Sequence, residues 1–369
     1  MSASDVPGNR PLGHDRIKLR ISAILWFLLA AGFLLSLPVL LEISWMALVA
    51  LAIVALVLAF PVAWLTRRFF AGQRAQHWRT SLFKAFAVLL FALSIAVTAP
   101  IFGLAVFTAL RPLTVPQATL SNGQKTVVFQ GMMHVGSEGF YKSVVYDLEQ
   151  ALADGYVLYY EGVTASPDGD KWFSDTLAGG GDLSTNYQQF SEICGLQFQL
   201  GYFQLLEADR AARPDRHVSA DVSTADMMHE YQRLMASDPA FAAAVGQTKA
   251  PAPTEQEGGS FARLFSVLGN ITPGQRDLVG TACRGFLTYI LGRKTAPDVL
   301  DPVILDFRNR QLASRIAADT HDKIYITYGA GHLPGLLRDL QADDADWQIK
   351  SVKWLRVIQP QEDLEGSLD

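Results

Sequence analysis

The sequence is poor in cysteine and, over long stretches, in charge. Its 369 residues include only two cysteines, Cys194 and Cys283, and these lack the paired spacing of cysteine motifs. An oxidising compartment would allow a disulfide between them, whereas two separate buried thiols fit the sequence at least as well. The cysteines by themselves therefore leave the compartment open.

Charged residues are absent from three long apolar runs. No Asp, Glu, Lys or Arg occurs in residues 21–41, 45–66 and 85–110. Each run reaches the roughly 20 residues that a helix needs to cross a hydrocarbon core of about 30 Å. We therefore predict three transmembrane helices within residues 21–110.

Cations flank these runs unevenly. Four precede the first run and five lie between the second and the third, whereas the loop between the first two runs carries only Glu42. By the positive-inside rule, residues 1–20 form a cytoplasmic tail and the third span exits on the outer side. The sequence thus predicts a multi-pass protein of the cell (inner) membrane with an extracytoplasmic, periplasmic C-terminal domain.

Basic residues are scarce in that C-terminal part. Of the 31 Lys and Arg and 36 Asp and Glu residues, ten basic and three acidic lie in residues 1–111, which leaves 21 basic and 33 acidic in residues 112–369, a formal net charge of −12. Nucleic-acid binding needs a basic footprint, so nucleic acid is not an expected partner. The charge is compatible with cation binding.

The tetrapeptide Gly-x-x-His occurs twice, ending at His134 and at His332. Each copy follows a short β-prone run and precedes apolar residues at helical spacing. If both strands run parallel in one sheet, both imidazoles lie at its C-terminal edge, where open α/β sheets bind ligands, and a third predicted strand ends at Glu161. Two imidazoles and a carboxylate suit a metal site or a general acid–base pair. The alternative is that the glycines are ordinary turn residues and the histidines cap helices.

Strand and helix patterns alternate from residue 126 to residue 358 and predict an α/β domain with a mixed, largely parallel sheet and flanking helices. Residues 111–125 contain two prolines and an Asn-Gly turn signal, which predicts a linker from the membrane. Residues 246–259 are predicted to be a mobile surface loop, and residues 359–369 an acidic, disordered tail.

Two further residues join the candidate site. Asp221 follows a predicted strand and would add a carboxylate ligand or orient a histidine, although a cap for the helix predicted from residue 224 is the likelier alternative. Arg308 would clamp a substrate carboxylate or the carboxylate of Glu161 in a bidentate fork, or form an exposed salt bridge. Of the other histidines of this part, His217 and His229 are assigned structural or surface roles, and His321, in a polar turn, is assigned no role.

The sequence resembles the TraB/GumN/Tiki superfamily in four places: residues 127–134, 160–162 and 324–335, and the pair Arg308-Asn309. The resemblance spans nearly all of the predicted α/β domain. It implies a fold of two related halves, with the two motif histidines and the glutamate in the active site. Tiki members are membrane-tethered metalloproteases that use manganese or cobalt, erythromycin-esterase-like relatives hydrolyse esters, and ChaN-like relatives bind haem. Phe307 departs from the pattern, since many members have an acidic residue there.

The sequence therefore predicts a membrane-anchored extracytoplasmic hydrolase, with metal-dependent peptide hydrolysis as the favoured reaction. His134, His332 and Glu161, with Asp221 as a further ligand, would hold a divalent ion such as Mn, Co or Zn. Glu161 is either a ligand or the general base, and Arg308 completes the catalytic set. The expected partners are membrane lipid and a peptide or small-molecule substrate, and no oligomeric state is predicted. The alternatives are a haem, iron or peptide-binding module without turnover, and a metal-free esterase.

Overall fold

The structure is a computed structural model in which the described residues fall into two compact units. The N-terminal unit comprises residues up to Gly103 together with Thr272–Leu278, and the α/β unit comprises Leu104–Ile271 and Val279–Asp369. The described residues are 28, 32, 45–69, 78–176, 183–248, 273–293 and 297–360.

Two long apolar helices follow each other at the start of the described chain, α1 (Trp45–Phe69) and α2 (Trp78–Leu110). In the described part of the chain they are the two helices long and apolar enough to cross a membrane, with mean hydropathies of 2.8 and 2.4 over their spans. Only 17% and 11% of their most apolar windows are buried. They are therefore unlike the mostly buried core helices of a soluble protein, and most of their apolar surface is exposed.

These helices correspond to the second and third predicted spans. The first predicted span, residues 21–41, lies outside the described residues apart from Leu28 and Gly32. Where the two helices pack together, the buried residues are small: Ala59, Ala63 and Ala85. Small side chains let helix backbones approach closely, which is the usual packing of helices in membranes.

The α/β unit is built on a mixed sheet of six strands. In chain order these are β1 (Leu113–Ser121), β2 (Thr126–Met132), β4 (Val157–Tyr160), β6 (His217–Ser219), β7 (Lys323–Gly329) and β8 (Gln348–Ile358); β3 (Val135–Gly136) and β5 (Gln197–Phe198) form a separate pair. The order across the sheet is β6-β4-β7-β2-β1-β8. The first four strands run parallel, and β1 and β8 are antiparallel to their neighbours. The predicted mixed, largely parallel sheet is confirmed.

Helices cover both faces of this sheet. The helices of the described part of this unit are α3 (Glu138–Ala153), α4 (Pro167–Thr176), α5 (Leu183–Cys194), α6 (Leu200–Phe203), α7 (Glu207–Ala212), α8 (Thr224–Ser237), α9 (Pro239–Thr248), α10 (Pro273–Leu291), α11 (Arg308–Ala318) and α12 (Leu333–Asp343). One core lies between the sheet and α3, where Leu148 is buried with Leu158. A second core lies between the opposite face and helices α11 and α12, where Leu336 is buried with Ile326. The result is a three-layer α/β/α arrangement.

The segment 111–125 is not a linker, because β1 occupies most of it and lies between β2 and β8. Pro116 is accommodated since pairing with β2 begins one residue later, at Gln117, so the missing N–H does not interrupt that ladder. The Asn-Gly signal is a turn between β1 and β2, where Gly123 has a φ of 92°. The α/β unit therefore begins before residue 126, where the domain was predicted to start.

Cys194 and Cys283 form a disulfide that joins α5 to α10. Of the two arrangements that the sequence allowed, the structure has the bonded one. The first residues of the predicted loop 246–259 belong to α9, and the rest of that loop lies outside the described residues, as does the tail from residue 361 onward.

Candidate functional site

The carboxyl ends of three neighbouring parallel strands meet at one edge of the sheet. His134 follows β2, His332 follows β7 and Glu161 follows β4, and β7 lies between the other two strands. The predicted arrangement of these strands is thus present. It places Nε2 of His332 3.7 Å from Oε1 of Glu161.

His332 is buried, with 3% of its surface exposed. Its Nδ1 lies 2.8 Å from Oδ1 of Asn309, in the first turn of α11. Burial and, to a smaller extent, the positive charge of Arg308 lower the pKa of His332, Glu161 and Asp221 raise it, and the pKa that results is about 4. The imidazole is therefore neutral at neutral pH.

Glycine is required at two positions here by close approach rather than by turn geometry. A Cβ on Gly335 would lie 2.1 Å from Nδ2 of Asn309, the residue that holds His332. A Cβ on Gly131 would lie 2.8 Å from the carbonyl oxygen of Pro116 in β1. Both distances are shorter than any normal carbon contact, so a larger residue would displace a neighbour of a motif histidine.

Glu161 is held at both carboxylate oxygens. Nη2 of Arg308 donates to Oε1 at 2.6 Å, and the backbone N–H of Gly329 donates to Oε2. The backbone of Glu161 continues the sheet by donating to the carbonyl of Thr327 at 2.9 Å. The carboxylate therefore has a fixed orientation, with Oε1 directed toward His332.

Arg308 pairs with a second carboxylate, that of Asp221. Its Nε donates to Oδ1 at 3.0 Å and its Nη2 to Oδ2 at 2.6 Å, a bidentate fork. The Asp221 side chain is fully buried and also accepts from the backbone N–H groups of Gly162 and Val222. Burial raises the pKa of Asp221, but the hydrogen bonds and charge of Arg308 outweigh it, and the pKa lies below its ordinary value.

Neither role predicted for Asp221 matches these contacts. Asp221 orients Arg308 rather than a histidine, and its hydrogen-bonding capacity is taken up by Arg308 and two backbone groups. The helix cap that was its alternative role is supplied by Ser223, which forms a capping box with Asp226. For Arg308, the clamp on Glu161 is present and the exposed salt bridge is not, since only 7% of its side chain is exposed.

A wide helical turn precedes Arg308. Residues Pro302–Phe307 form a π-helix that runs directly into α11. π-helical turns inside helices are rare and occur frequently at functional sites. Here the turn comes immediately before Arg308 and Asn309, the two residues that hold Glu161 and His332.

His134 lies on the other side of the site and is more exposed. Gln199 contacts it twice, because its backbone N–H donates to the His134 carbonyl at 3.0 Å and its side-chain nitrogen lies 2.9 Å from Nδ1. The ring of Tyr187 packs against the imidazole, with 4.7 Å between centroids. Desolvation by these neighbours lowers the pKa of His134, Glu161 raises it and Arg308 lowers it.

The two histidines present different atoms to the site. With the amide of Asn309 oriented as assigned, its oxygen accepts from Nδ1–H of His332, so Nε2 of His332 has a free lone pair. With the amide of Gln199 oriented as assigned, its nitrogen donates to Nδ1 of His134, so the proton of the neutral ring is on Nε2. Two copies of one motif thus provide a proton acceptor and a proton donor.

Two cavities meet at Glu161 and Gln199. The larger, of about 630 Å³, is lined by His134 and Glu161 and otherwise mainly by apolar side chains. The smaller, of about 210 Å³, is lined by Glu161 together with Arg210 and His217. Met132, Phe203 and Leu206 form the apolar part of the smaller wall, so a ligand at Glu161 can extend into an apolar cavity and into a mixed one.

A hydrogen-bonded chain in the smaller cavity was missed from the sequence. His217 was assigned a structural or surface role, yet its side chain is 1% exposed and its Nε2 lies 2.8 Å from Oδ1 of Asp209. The other ring nitrogen lies 2.8 Å from the hydroxyl of Tyr160. Gln199 and Tyr187 were missed as well, because nothing in their local sequence distinguishes them from other polar and aromatic residues.

The five predicted site residues divide into two groups in the structure. Arg308 joins Glu161 and Asp221 through direct ion pairs, and Glu161 faces His332. His134 shares the larger cavity with Glu161. Within the described ranges, no three His, Cys, Asp or Glu side chains are arranged as a metal-binding group.

Comparisons with known proteins add no family to this picture: no family model matches the chain, and neither a curated protein nor a solved structure matches it.

Proposed function

We propose that this chain is a membrane-anchored hydrolase that cleaves acyl bonds, either peptide or ester, with His332, Glu161 and His134 at the reacting centre. The observation that carries the proposal is the pair formed by Nε2 of His332 and Oε1 of Glu161, 3.7 Å apart. Both atoms are acceptors, and each is oriented by a partner of its own, Asn309 and Arg308. A water molecule between these two atoms could donate a hydrogen bond to each of them, and such positioned acceptors are what activation of a water molecule requires.

The proton path follows from these contacts. At neutral pH His332 is neutral and its free Nε2 accepts a proton from the attacking water, while Glu161 orients that water or takes the proton itself. His134, whose neutral ring bears its proton on Nε2, donates a hydrogen bond to the leaving group, and that group receives the proton that His332 or Glu161 took from the water. The buried Arg308 keeps Glu161 fixed, and it also supplies positive charge next to the developing oxyanion.

The donors of the site are of the types that bind a divalent ion, although the described His, Cys, Asp and Glu side chains are not arranged as a three-ligand group. His332 is kept free of a competing proton by its low pKa, and its Nδ1 is held by Asn309, which is the usual arrangement around a metal-bound histidine. The ion would be held by His332, Glu161 and His134. For His134 to bind through Nε2, the proton must move to Nδ1, which requires the Gln199 amide to turn over and present its oxygen. When bound, a divalent ion would polarise the scissile carbonyl and acidify a water molecule.

The membrane anchor and the orientation belong to the same proposal. The spans α1 and α2, with a further span at residues 21–41, would leave the α/β unit outside the cytoplasm in a TraB/Tiki-like arrangement of two related halves. The uneven distribution of cations supports this orientation. The Cys194–Cys283 disulfide supports it as well, because such bonds persist in oxidising compartments.

The test is hydrolysis by the purified full chain in detergent, assayed against a panel of peptides and esters with and without added Mn, Co or Zn. We expect turnover in the wild type and a loss of about 10²–10⁴-fold in His332→Ala, the usual contribution of a positioned base. His229→Ala is the matched control, since His229 is exposed on α8. Absence of turnover on every substrate and with every metal, in a folded protein, would refute the hydrolase.

A further inference from the structure

We infer that the substrate of this site is a membrane-resident amphiphile whose long acyl chain occupies the larger cavity. The inference rests on the proposed hydrolase and names its substrate class. It starts from the composition of the cavity wall, which is apolar except near His134, Glu161 and Gln199. The apolar wall is formed by Leu113, Val115, Met132, Leu287, Leu291 and Ile358.

The volume and the polarity of the cavity suit an extended apolar chain better than a polar peptide. Sites for drug-sized ligands have volumes of roughly 300–1,000 Å³, and this cavity has about 630 Å³. A peptide would bring an amide N–H and carbonyl every residue, and burying these groups without partners is costly. An acyl chain has no such groups, so it can be buried against the apolar wall without leaving a hydrogen-bonding group unpaired.

The position of the reacting groups suits the same ligand. Glu161 and Gln199 line both cavities, so the bond to be cleaved would lie at their junction. The acyl chain would extend into the apolar cavity and the head group into the smaller one, where Arg210, Glu207 and Ser219 supply polar groups. The smaller cavity also has Met132, Phe203 and Leu206 in its wall, but it holds the charged side chains Glu207 and Arg210, which the larger cavity lacks. A ligand with an apolar chain and a polar head group matches this difference.

The cavity lies close to the end of an apolar helix. Leu113 lines the cavity and is only three residues beyond Leu110, where α2 ends, which limits the separation to about 10 Å along the chain. Within the α/β unit, Phe107 contacts Tyr289 of α10 with 6.1 Å between ring centroids. The cavity wall and the last turns of α2 are therefore connected through α10.

The outer surface of α10 is apolar as well. Phe286, Tyr289, Ile290 and Leu291 are all between 41% and 53% exposed. Leu291 also lines the cavity, as does Leu287 one turn earlier. The helix thus carries apolar side chains both toward the cavity and toward its surroundings, and its Tyr289 contacts Phe107 in the last turns of α2, a helix apolar enough to cross a membrane. We assign the lipid bilayer as the occupant of this exposed surface and the source of the substrate.

The reaction on such a substrate is a simple hydrolysis. The water oxygen forms a bond to the acyl carbon, and the bond between that carbon and the leaving oxygen or nitrogen breaks. One proton of the water passes to His332 or Glu161 and from there to the leaving group, which the Nε2–H of His134 orients by a hydrogen bond. The products are a long-chain carboxylic acid and the released head group.

The first experiment locates the acyl chain. The full chain is placed in lipid nanodiscs that contain phosphatidylglycerol with a diazirine-labelled palmitoyl chain, irradiated, and analysed by peptide mass spectrometry. We expect labels at residues 113–115, 132–135 and 287–291, and fewer of them in Leu287→Trp, which fills the cavity. Ile349→Trp, exposed on β8, is the matched control. If Leu287→Trp does not fold, Leu291→Trp takes its place, because Leu291 is 46% exposed.

The second experiment measures kcat/KM for p-nitrophenyl esters from acetate to laurate with the same preparation. We expect kcat/KM to rise by up to about fourfold for each CH2 group that the cavity buries, and the rise to be smaller in Leu287→Trp. Labels confined to α1 and α2, or equal kcat/KM for acetate and laurate, would overturn the amphiphile even if hydrolysis occurs. Labels in the cavity without hydrolysis of any ester would refute the hydrolase instead and leave amphiphile binding in place.

Discussion

Replacing Arg308 with methionine should strongly destabilise the α/β unit at neutral pH. The Asp221 side chain is fully buried and that of Arg308 is 7% exposed, so the substitution leaves a buried carboxylate without its cation. Removing one partner of a buried ion pair costs about 3–5 kcal/mol. The pair with Glu161 adds less, because 24% of that side chain is exposed to water. With about 2–4 °C per kcal/mol for a large domain, Tm should fall by about 6–20 °C.

This loss should become smaller as the pH falls. In the wild type, burial raises the pKa of Asp221 but Arg308 more than compensates, so the folded pKa is depressed. The resulting stabilisation is present above the unfolded pKa of about 4 and is lost as pH falls through the folded value. Without Arg308, burial dominates and the pKa of Asp221 rises above its ordinary value. Asp221 of the variant then takes up a proton in mild acid, and the difference in stability between the variant and the wild type becomes smaller.

The measurement is differential scanning fluorimetry of the full chain in detergent at pH 7.5 and pH 5. Arg338→Met is the matched control, because Arg338 pairs with Asp306 and Asp339 while 60% exposed, and such pairs contribute at most about 1 kcal/mol. A second substitution, Asp221→Asn, should restore part of the stability of Arg308→Met at pH 7.5. The reasoning is refuted if Arg308→Met melts within about 2 °C of the wild type at pH 7.5, or if its deficit is equal at both pH values.

Three further predictions concern the chemistry and the topology. Glu161→Gln should lose about 10²–10⁴-fold in turnover, whereas the control Glu149→Gln, at an exposed position, should not. If the Glu161→Gln variant retains metal, Glu161 is the base, and if the variant loses metal, Glu161 is a ligand. Full activity of the variant would contradict both roles. His134→Ala and His332→Ala should each abolish stoichiometric divalent-metal binding in elemental analysis with an unchanged circular dichroism spectrum, and full occupancy in both would reject the metal site. A periplasm-specific reporter fused after Asp369 should be active, and activity of a cytoplasm-specific reporter there would reverse the topology.

Local patterns were enough to predict the core of the site. The β-prone runs before each Gly-x-x-His, and the run before Glu161, form strands whose carboxyl ends share one sheet edge. This was predictable because the period of the apolar residues determines local structure, and parallel strands in a crossover fold end on the same side. The strand β1 was missed. Its local partner β2 follows directly after the Asn-Gly turn, but Pro112, Pro116 and that turn signal are equally typical of a linker, and its other partner, β8, lies more than 200 residues away.

The sequence alone determined the apolar helices, the alternating strands and helices, and the residues available for chemistry at the strand ends, since each depends only on neighbours along the chain. Tertiary structure decided which side chains meet. Asp221 was a candidate ligand, and the structure places both of its oxygens on the planar fork of Arg308. Gln199 on His134 and Leu287 in the cavity wall are equally nonlocal. Such contacts arise from packing between distant segments, which local spacing does not encode.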